Sequence, residues 1–428
     1  MSTHSVEKPL DHNVLASDHE IGQELEKSDT NNFPDGGTRA WLVAAGSSMA
    51  FFCTLGYTNS FGVFQAYYKL HQLPDCTEDQ ISWIGGVQAF LIFATGLIGG
   101  PLFDRFGAWT LRPAAVLYVF GIMMTSLCTK YWQFMLSQGI ATGLATGLIM
   151  SPAMSAVPQW FQKKRGAAMG AAVAGSSIGG VIFPIMLSNL LTKTNVGFGW
   201  SVRIAGFITV PLLAFTSLTI RARLPPRKTQ FFLAEPFKKP TYLLLCAAMF
   251  CGMVGMLIPA FLIPTYAISK GVDETLASYL AAVLNAASFF GRVIPGVIGD
   301  KIGRLNIFAL AAASTCIVTF CWPYADSQGA IIVLTLAFGF CSGAIVSGGS
   351  VAVTVCTDEP KKLGTYMGMG MAMASFSALL GPPVSGAMIS RYHGFHEVSY
   401  FGGAMTLLAT VLCVLAKKFN PAGIMGKI

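Results

Sequence analysis

The sequence predicts an all-α membrane protein with twelve transmembrane helices arranged as two pseudo-symmetric six-helix bundles. Three observations lead there. Of 428 residues, 53% are hydrophobic and only 11% charged, where a soluble domain carries roughly 25% charged residues. Apolar runs long enough to cross a bilayer, roughly 17 to 25 residues, start near residues 41, 81, 113, 133, 166 and 202, and again near 241, 275, 306, 329, 364 and 397. One charged turn also occurs twice, as Gly100-Pro-Leu-Phe-Asp104-Arg105-Phe-Gly107 and as Gly296-Val-Ile-Gly-Asp300-Lys301-Ile-Gly303-Arg304, with its aspartates 196 positions apart (300 − 104). A repeat of that period, each copy set between apolar spans, marks a helical half used twice, as in secondary transporters.

Taken in chain order, residues 1–34 hold Glu7, Asp11, Asp18, Glu20, Glu24, Glu26 and Asp29 with almost no bulky apolar side chain, so they cannot bury a core and should be disordered. The first apolar run begins near Ala40 behind this polar stretch, which predicts no cleavable signal peptide. Six spans fill residues 35–220, a basic linker with Arg221, Arg223, Arg227, Lys228, Lys238 and Lys239 fills 221–240, six more spans fill 241–416, and 417–428 is a short tail. Seventeen Lys and Arg fall on the side of both turns and the linker, against six on the other side: Lys69, Lys130, Lys193, Arg203, Lys270 and Arg391. The positive-inside rule then places the termini, the linker and both turns in the cytoplasm, with the plasma membrane as the expected bilayer. The net charge of +8 lies in short loops and forms no basic stripe, so the charge reads as topology and nucleic acid is not an expected partner. Of the ten cysteines only Cys76 stands away from a span; the rest read as small apolar packers, with no disulfide framework or metal spacing.

In the repeated turn the glycines permit a tight backbone, while Asp104 and Asp300 can cap or pair across a helix end. With Arg105, Lys301 and Arg304 they form a candidate cytoplasmic gate that holds two bundles together and breaks on opening. Spans 4 and 5 carry Gly139, Gly143 and Gly147, then Gly166, Gly170, Gly175 and Gly179, small residues that read as packing seams between helices. The repeated turn resembles the loop signature of the major facilitator superfamily, found between spans 2 and 3 and more loosely between spans 8 and 9; the second copy keeps the basic residue after its last glycine as Arg304, where the first has Ala108. The stretch Trp160-Phe-Gln-Lys163-Lys164-Arg165-Gly166-Ala-Ala-Met-Gly170 through Gly179 resembles the span-5 signature of the monocarboxylate transporter family. Asp35-Gly-Gly-Thr38-Arg39-Ala-Trp41 is similar to that family's other signature, with one extra residue before Trp41 and Thr38 in place of an aromatic. The resemblance covers residues 35 to about 416. It is nearest to fungal members, which include importers as well as exporters of secondary metabolites.

Arg292 is the one Lys or Arg placed well inside a span, where a charge is costly and usually faces a cavity or a partner. It lies eight residues before Asp300, roughly 12 Å along a helix. Asn285, Ser288 and Arg292 are spaced i, i+3 and i+7, which predicts one polar wall of span 8. A guanidinium stays protonated and can hold a carboxylate through two parallel hydrogen bonds; the alternative reading is a structural arginine bonded to backbone carbonyls of a neighbouring helix. By the resemblance, Arg292 stands where the monocarboxylate family anchors its substrate carboxylate. The chain departs from the proton-coupled animal members, which carry an aspartate one turn before this arginine and a lysine in span 1; here Ser288 and either Asn59 or Val63 stand instead. No Asp or Glu falls well within a span, so a buried proton relay is not visible, although a proton is kept as a possible coupling ion. Tyr57, Asn59 and Tyr366 are further candidates for the cavity wall, since spans 1 and 11 can approach the centre of such a fold; Gln88 and Gln138 read as glue between helices. Pro152, Pro158, Pro259, Pro264 and the Pro382-Pro383 pair should bend spans 4, 7 and 11.

These readings converge on a transporter whose bundles rock around a central site. The expected substrate is a monocarboxylate or a carboxylated or amphipathic metabolite. The alternatives are an exporter whose cargo need not be anionic and a membrane sensor that signals through its tail. No nucleophile constellation, phosphate loop or metal cluster is present, so neither an enzymatic reaction nor a cofactor is expected.

Overall fold

Long apolar stretches with few charges must satisfy their backbone internally in lipid, and only a helix does so within one segment. The structure, a computed structural model, describes residues 33–224, 233–357, 359–392 and 394–419. The acidic tail through residue 32, Pro225, Pro226, Arg227 and Lys228 of the linker, Asp358, and residues 420–428 lie outside the described residues, as do the side chains of Glu274 and Pro382. Among the described residues, eleven helices are long and apolar enough to span a membrane. One of them, Glu78–Thr125, has 48 residues, about 72 Å at 1.5 Å per residue, more than twice the ~30 Å hydrocarbon core. It is divided at Gly107, whose φ of 63° is left-handed, and so makes two crossings.

The twelve helices are α1 (Thr38–Gln72), α2 (Glu78–Ala94 continued as Gly96–Phe106), α3 (Leu111–Thr125), α4 (Tyr131–Trp160), α5 (Arg165–Thr192), α6 (Gly197–Thr219), α7 (Pro240–Ser269), α8 (Glu274–Ile302), α9 (Arg304–Cys321), α10 (Gln328–Ala352), α11 (Leu363–Tyr392) and α12 (His396–Lys418). Local sequence explains several ends. Thr77 caps α2 in a reciprocal box with Gln80, and the Ser327 hydroxyl accepts from the Ala330 N–H at the start of α10. Gly303, with φ of 107°, separates α8 from α9. It is the repeat partner of Gly107 (303 − 107 = 196), so both copies of the charged turn use their last glycine for a backbone conformation that side chains resist. Pro152, Pro158, Pro259 and Pro264 lie inside continuous helices.

Helices α1–α6 form one bundle and α7–α12 the other. Between the bundles α5 runs along α8 and α2 along α11; inside them α5 also packs on α1, and α11 on α7. Small residues let these backbones approach. A Cβ on Gly296 would lie 2.5 Å from the Gly166 carbonyl oxygen, and one on Gly100 would lie 2.2 Å from the Gly364 oxygen. The two pairs are related by the same pseudo-symmetry as the turns (296 − 100 = 196; 364 − 166 = 198). Contact along α5 and α8 reaches from Gly166 to Gly180, where a Cβ would meet the Asn285 side chain. Those 14 steps cover about 21 Å of helix. Six of the ten free cysteines are buried, Cys76, Cys341 and Cys356 are half-buried, and Cys321 is exposed.

Candidate functional site

The site is built on the two helix pairs that join the bundles. The first N–H groups of a helix have no partner inside it, and those of α5 and α11 are met from the opposite bundle. Asp300, in the last turn of α8, accepts from the N–H of Gly166 (2.8 Å) and of Ala167 (2.9 Å) at the start of α5. Asp104, in the last turn of α2, accepts from the N–H of Gly364 (3.1 Å) and Thr365 (2.7 Å) and from the Thr365 hydroxyl (2.6 Å) at the start of α11. Asp104 is buried. The two arrangements are copies of each other, the recipients again being 198 positions apart (364 − 166). Hydrogen bonds that involve a charged group contribute ~1.5–3 kcal/mol each, and negative charge at a helix N-terminus is favoured by the macrodipole.

The basic residues of the turns play unequal parts. Arg304 Nε lies 3.7 Å from Asp300 Oδ1, and its Nη2 donates to the Gln162 carbonyl. Arg105 is exposed and lies over the Phe106 ring at 5.8 Å. Lys301 is exposed and, among the described residues, forms no ion pair. The contact between bundles is therefore carboxylate to backbone N–H, with Arg304 as an added cation on one side.

Asp35, outside the spans, completes this end of the molecule. Its Oδ1 accepts from the N–H of Gln162 (2.6 Å), Lys163 (2.7 Å) and Lys164 (3.4 Å), and Trp41 meets Phe161 edge-on at 5.1 Å. The two signature stretches thus touch: the acid before α1 holds the turn that enters α5, whose next residues are held by Asp300. Nothing in the spacing of 35–41 and 160–166 announces this contact, because it depends on α1 and α5 being neighbours. Nearby, Lys362 donates to Glu235 at 3.1 Å, and this hydrogen bond holds the Glu235 carboxyl below its ordinary pKa.

Further into the bundle, Arg292 crosses from α8 to α5. Its Nη1 donates to the Val173 carbonyl at 3.0 Å and to the Ser176 hydroxyl. The residue is buried, and among the described residues its Nε has no partner. Among the described residues it forms no ion pair, so its charge is not neutralised. Asn59 and Asn285 approach across the bundles, Nδ2 to Oδ1 at 3.4 Å, beside Gly180. Asn59 sits where α1 is interrupted, between Thr58 and Phe61, and broken helices at mid-span are a frequent setting for transport sites. The Tyr57 hydroxyl, two residues earlier, is buried and among the described residues has no hydrogen-bond partner, and its ring packs on Phe64 and Phe183.

Two of the expected wall residues lie elsewhere in this conformation. Ser288 is turned toward α10, against Gly343, where a Cβ would lie 2.8 Å from its hydroxyl oxygen. An i+3 step rotates 300° at 100° per residue, so Ser288 stands 60° from Asn285, and a glycine on α10 draws it to that side. The polar face toward α5 is made by Asn285 and Arg292. Tyr366 lies in the first turn of α11 next to Thr365, under Tyr242, whose hydroxyl donates to the Tyr366 carbonyl at 2.9 Å. It belongs to the end with the turns, away from Asn59 and Arg292. Ser176, which the sequence reading did not single out, is the side chain that meets Arg292; only the packing of α5 on α8 reveals it. Gln88 and Gln138 do join helices, Gln88 donating to Thr142 and Tyr68 to Gln138.

The family described as Major Facilitator Superfamily matches residues 41–326 and again 243–424. The aspyridones efflux protein apdF of Emericella nidulans is 47% identical over 408 residues, 95% of this chain and 84% of that protein. The agnestins efflux protein AgnL12 of Paecilomyces divaricatus is 39% identical over 91% of this chain and 90% of its own length; the fujikurins efflux protein of Gibberella fujikuroi is 36% identical over 96% and 90%. Two solved structures share the fold with a TM-score of 0.67 each: the transporter FucP in the outward conformation (14% identity, 88% of this chain and 99% of that one) and the human organic anion transporter MFSD10 (15% identity, 88% and 98%).

Proposed function

The chain belongs to the Major Facilitator Superfamily and is a multi-pass membrane transporter, and we propose on that footing that it exports a secondary metabolite that carries a carboxylate or another strongly polar acceptor group. The names of three relatives as efflux proteins support export. The monocarboxylate porter signatures at 35–41 and 160–179 support an anionic or acceptor-rich cargo without fixing it. Bundles 35–220 and 241–416, joined by the linker 221–240, rock about the site. The termini and both turns face the cytoplasm, and the membrane is the plasma membrane.

The observation that carries the reading is Arg292, a buried guanidinium with no acid partner that spends its hydrogen bonds on α5. In the conformation described, the turn end is closed and α5 supplies the acceptors. When the bundles part at that end, Val173 and Ser176 move away and Arg292 needs another acceptor, which a cytoplasmic substrate provides. Closure then returns Arg292 to α5 and releases the cargo to the other side. Asn59, Asn285 and Tyr57 stand above it as neutral polar contacts. Coupling to a proton would have to proceed without a carboxylate in the middle of a span.

Flux of labelled candidate metabolites in proteoliposomes, with and without a pH gradient, tests the proposal. Arg292→Lys should weaken the affinity for an anionic cargo about tenfold or more, since an ammonium cannot make the planar bidentate contact. Unchanged affinity, or transport of neutral metabolites alone, would sink the anchor role.

A further inference from the structure

A cleft of ≈390 Å³ opens at the end of the molecule that holds the turns. Its walls include Asp104, Trp109, Arg112, Leu218, Arg221 and Lys361, drawn from the α2–α3 turn, the start of α3, the end of α6, the first linker residues and the loop before α11. Both bundles therefore contribute. Arg112 and Arg221 are exposed and, among the described residues, neither has an acidic partner; Arg112 lies over the Trp109 ring at 4.2 Å. The single acid in the wall, Asp104, already accepts three hydrogen bonds from α11. Apolar groups flank the mouth: Trp109 is 70% exposed and Leu218 69%.

Cations gathered in a concave site beside exposed apolar side chains, at the level where a helix leaves the bilayer, suit a ligand with a negative head and apolar tails. We propose that this cleft binds the headgroup of an anionic phospholipid of the cytoplasmic leaflet. Arg112 and Arg221 take the phosphate, and the acyl chains lie along Leu218 and Trp109. A free phosphate compound shares the head chemistry but makes no use of the apolar rim, which is why a lipid is the assigned source. Lys361 approaches from the second bundle, so a bound headgroup spans the same gap that Asp104 closes. The lipid would then favour the conformation closed at the cytoplasmic end. The choice of the cytoplasmic leaflet and this last consequence rest on the orientation and gate proposed above; binding of an anionic headgroup in the cleft does not.

The test uses the full purified chain and a short-chain phosphatidylinositol 4-phosphate carrying a fluorophore, read by anisotropy, with labelled phosphatidylcholine in parallel and inositol 1,4-bisphosphate as competitor. A basic side chain near a membrane surface contributes about a fivefold factor in affinity. R112Q/R221Q should therefore weaken binding about 25-fold and R221Q alone about fivefold, with less effect of either at high salt. R391Q, at the far end of α11, should bind as the unmodified chain does. Equal binding of phosphatidylcholine, full competition by the soluble bisphosphate at the lipid's own concentration, or undiminished binding by folded R221Q would overturn the assignment. Amide exchange in the first turn of α11, with and without the lipid, reads the conformational consequence separately: protection that leaves bound-lipid measurements intact but does not rise would refute the gate effect alone.

Discussion

Asp300 holds the N–H groups of Gly166 and Ala167 from one side while Arg304 approaches it from the other. A carboxylate is suited to this because both its oxygens accept; an asparagine would turn an NH2 toward one of the two N–H donors. Asp300→Asn is therefore expected to leave one α5 amide without an acceptor, at a cost of ~1–3 kcal/mol. Hydrogen exchange at Gly166 and Ala167 should rise by about 5- to 150-fold, the same quantity expressed as a rate ratio. Mass-spectrometric exchange on the first turn of α5 measures it directly, and rates equal to those of the parent chain would show that Asp300 does not hold this turn. Arg292 illustrates the opposite situation at the same scale. Its depth and its lack of an acid were evident from the sequence, but its partners Val173 and Ser176 come from a helix more than a hundred positions earlier, and no local pattern links them.

Among the elements, α2 with α11 and α5 with α8 meet through small residues rather than through interdigitated side chains. Gly166 and Gly170 face Gly296 and Arg292 backbone, while Gly364 and Gly368 face Gly100 and Gly96. Because a Cβ on Gly166 would fall 2.5 Å from a carbonyl oxygen and one on Gly364 would fall 2.4 Å from Asp104 Oδ1, Gly166→Val and Gly364→Val must force the helices apart. Each should lower the melting temperature and raise exchange at the starts of both α5 and α11. Gly86→Ala, where a Cβ meets nothing within 4 Å, should instead be neutral or slightly stabilising, since alanine favours helix by up to ~1 kcal/mol over glycine. Equal melting temperatures for all three variants would mean that the close approach is not needed. The α5 half of this seam is readable from sequence because its glycines recur at four-residue spacing; the α11 half, Gly364-Thr-Tyr-Met-Gly368, sits in a run that also reads as ordinary span. The twelve spans and the twofold repeat were likewise plain, being set by composition and by copy number. The surroundings of Ser288 and Tyr366 were not legible for a shared reason: helical periodicity gives an angle on one helix, and which neighbour fills that angle is a property of the packing.

For the molecule as a whole, two latches at equivalent places on two helix pairs should be broken by one motion. If the bundles move as rigid bodies, opening at the turn end separates α5 from α8 and α11 from α2 together, so weakening one latch must expose the amides held by the other. Asp300→Asn should then raise exchange at Gly364 and Thr365 as well as at its own helix, and adding Asp104→Asn should multiply the two increases, since the free energies of opening add for contacts that share no partner. A rise confined to the helix whose aspartate was changed would mean local fraying instead and would exclude a concerted gate. On the proposed opening, the same motion would free Arg292 from α5. The apparent dissociation constant of a ligand equals its intrinsic value divided by the fraction of molecules able to bind, so a variant that populates the opened state more should bind cytoplasmic cargo more tightly in equilibrium measurements. Asp300→Asn and Arg292→Lys should accordingly move the apparent affinity in opposite directions, the first strengthening and the second weakening it. A structural arginine with no contact to cargo would leave the second variant's affinity where it was while the first still shifted the exchange rates.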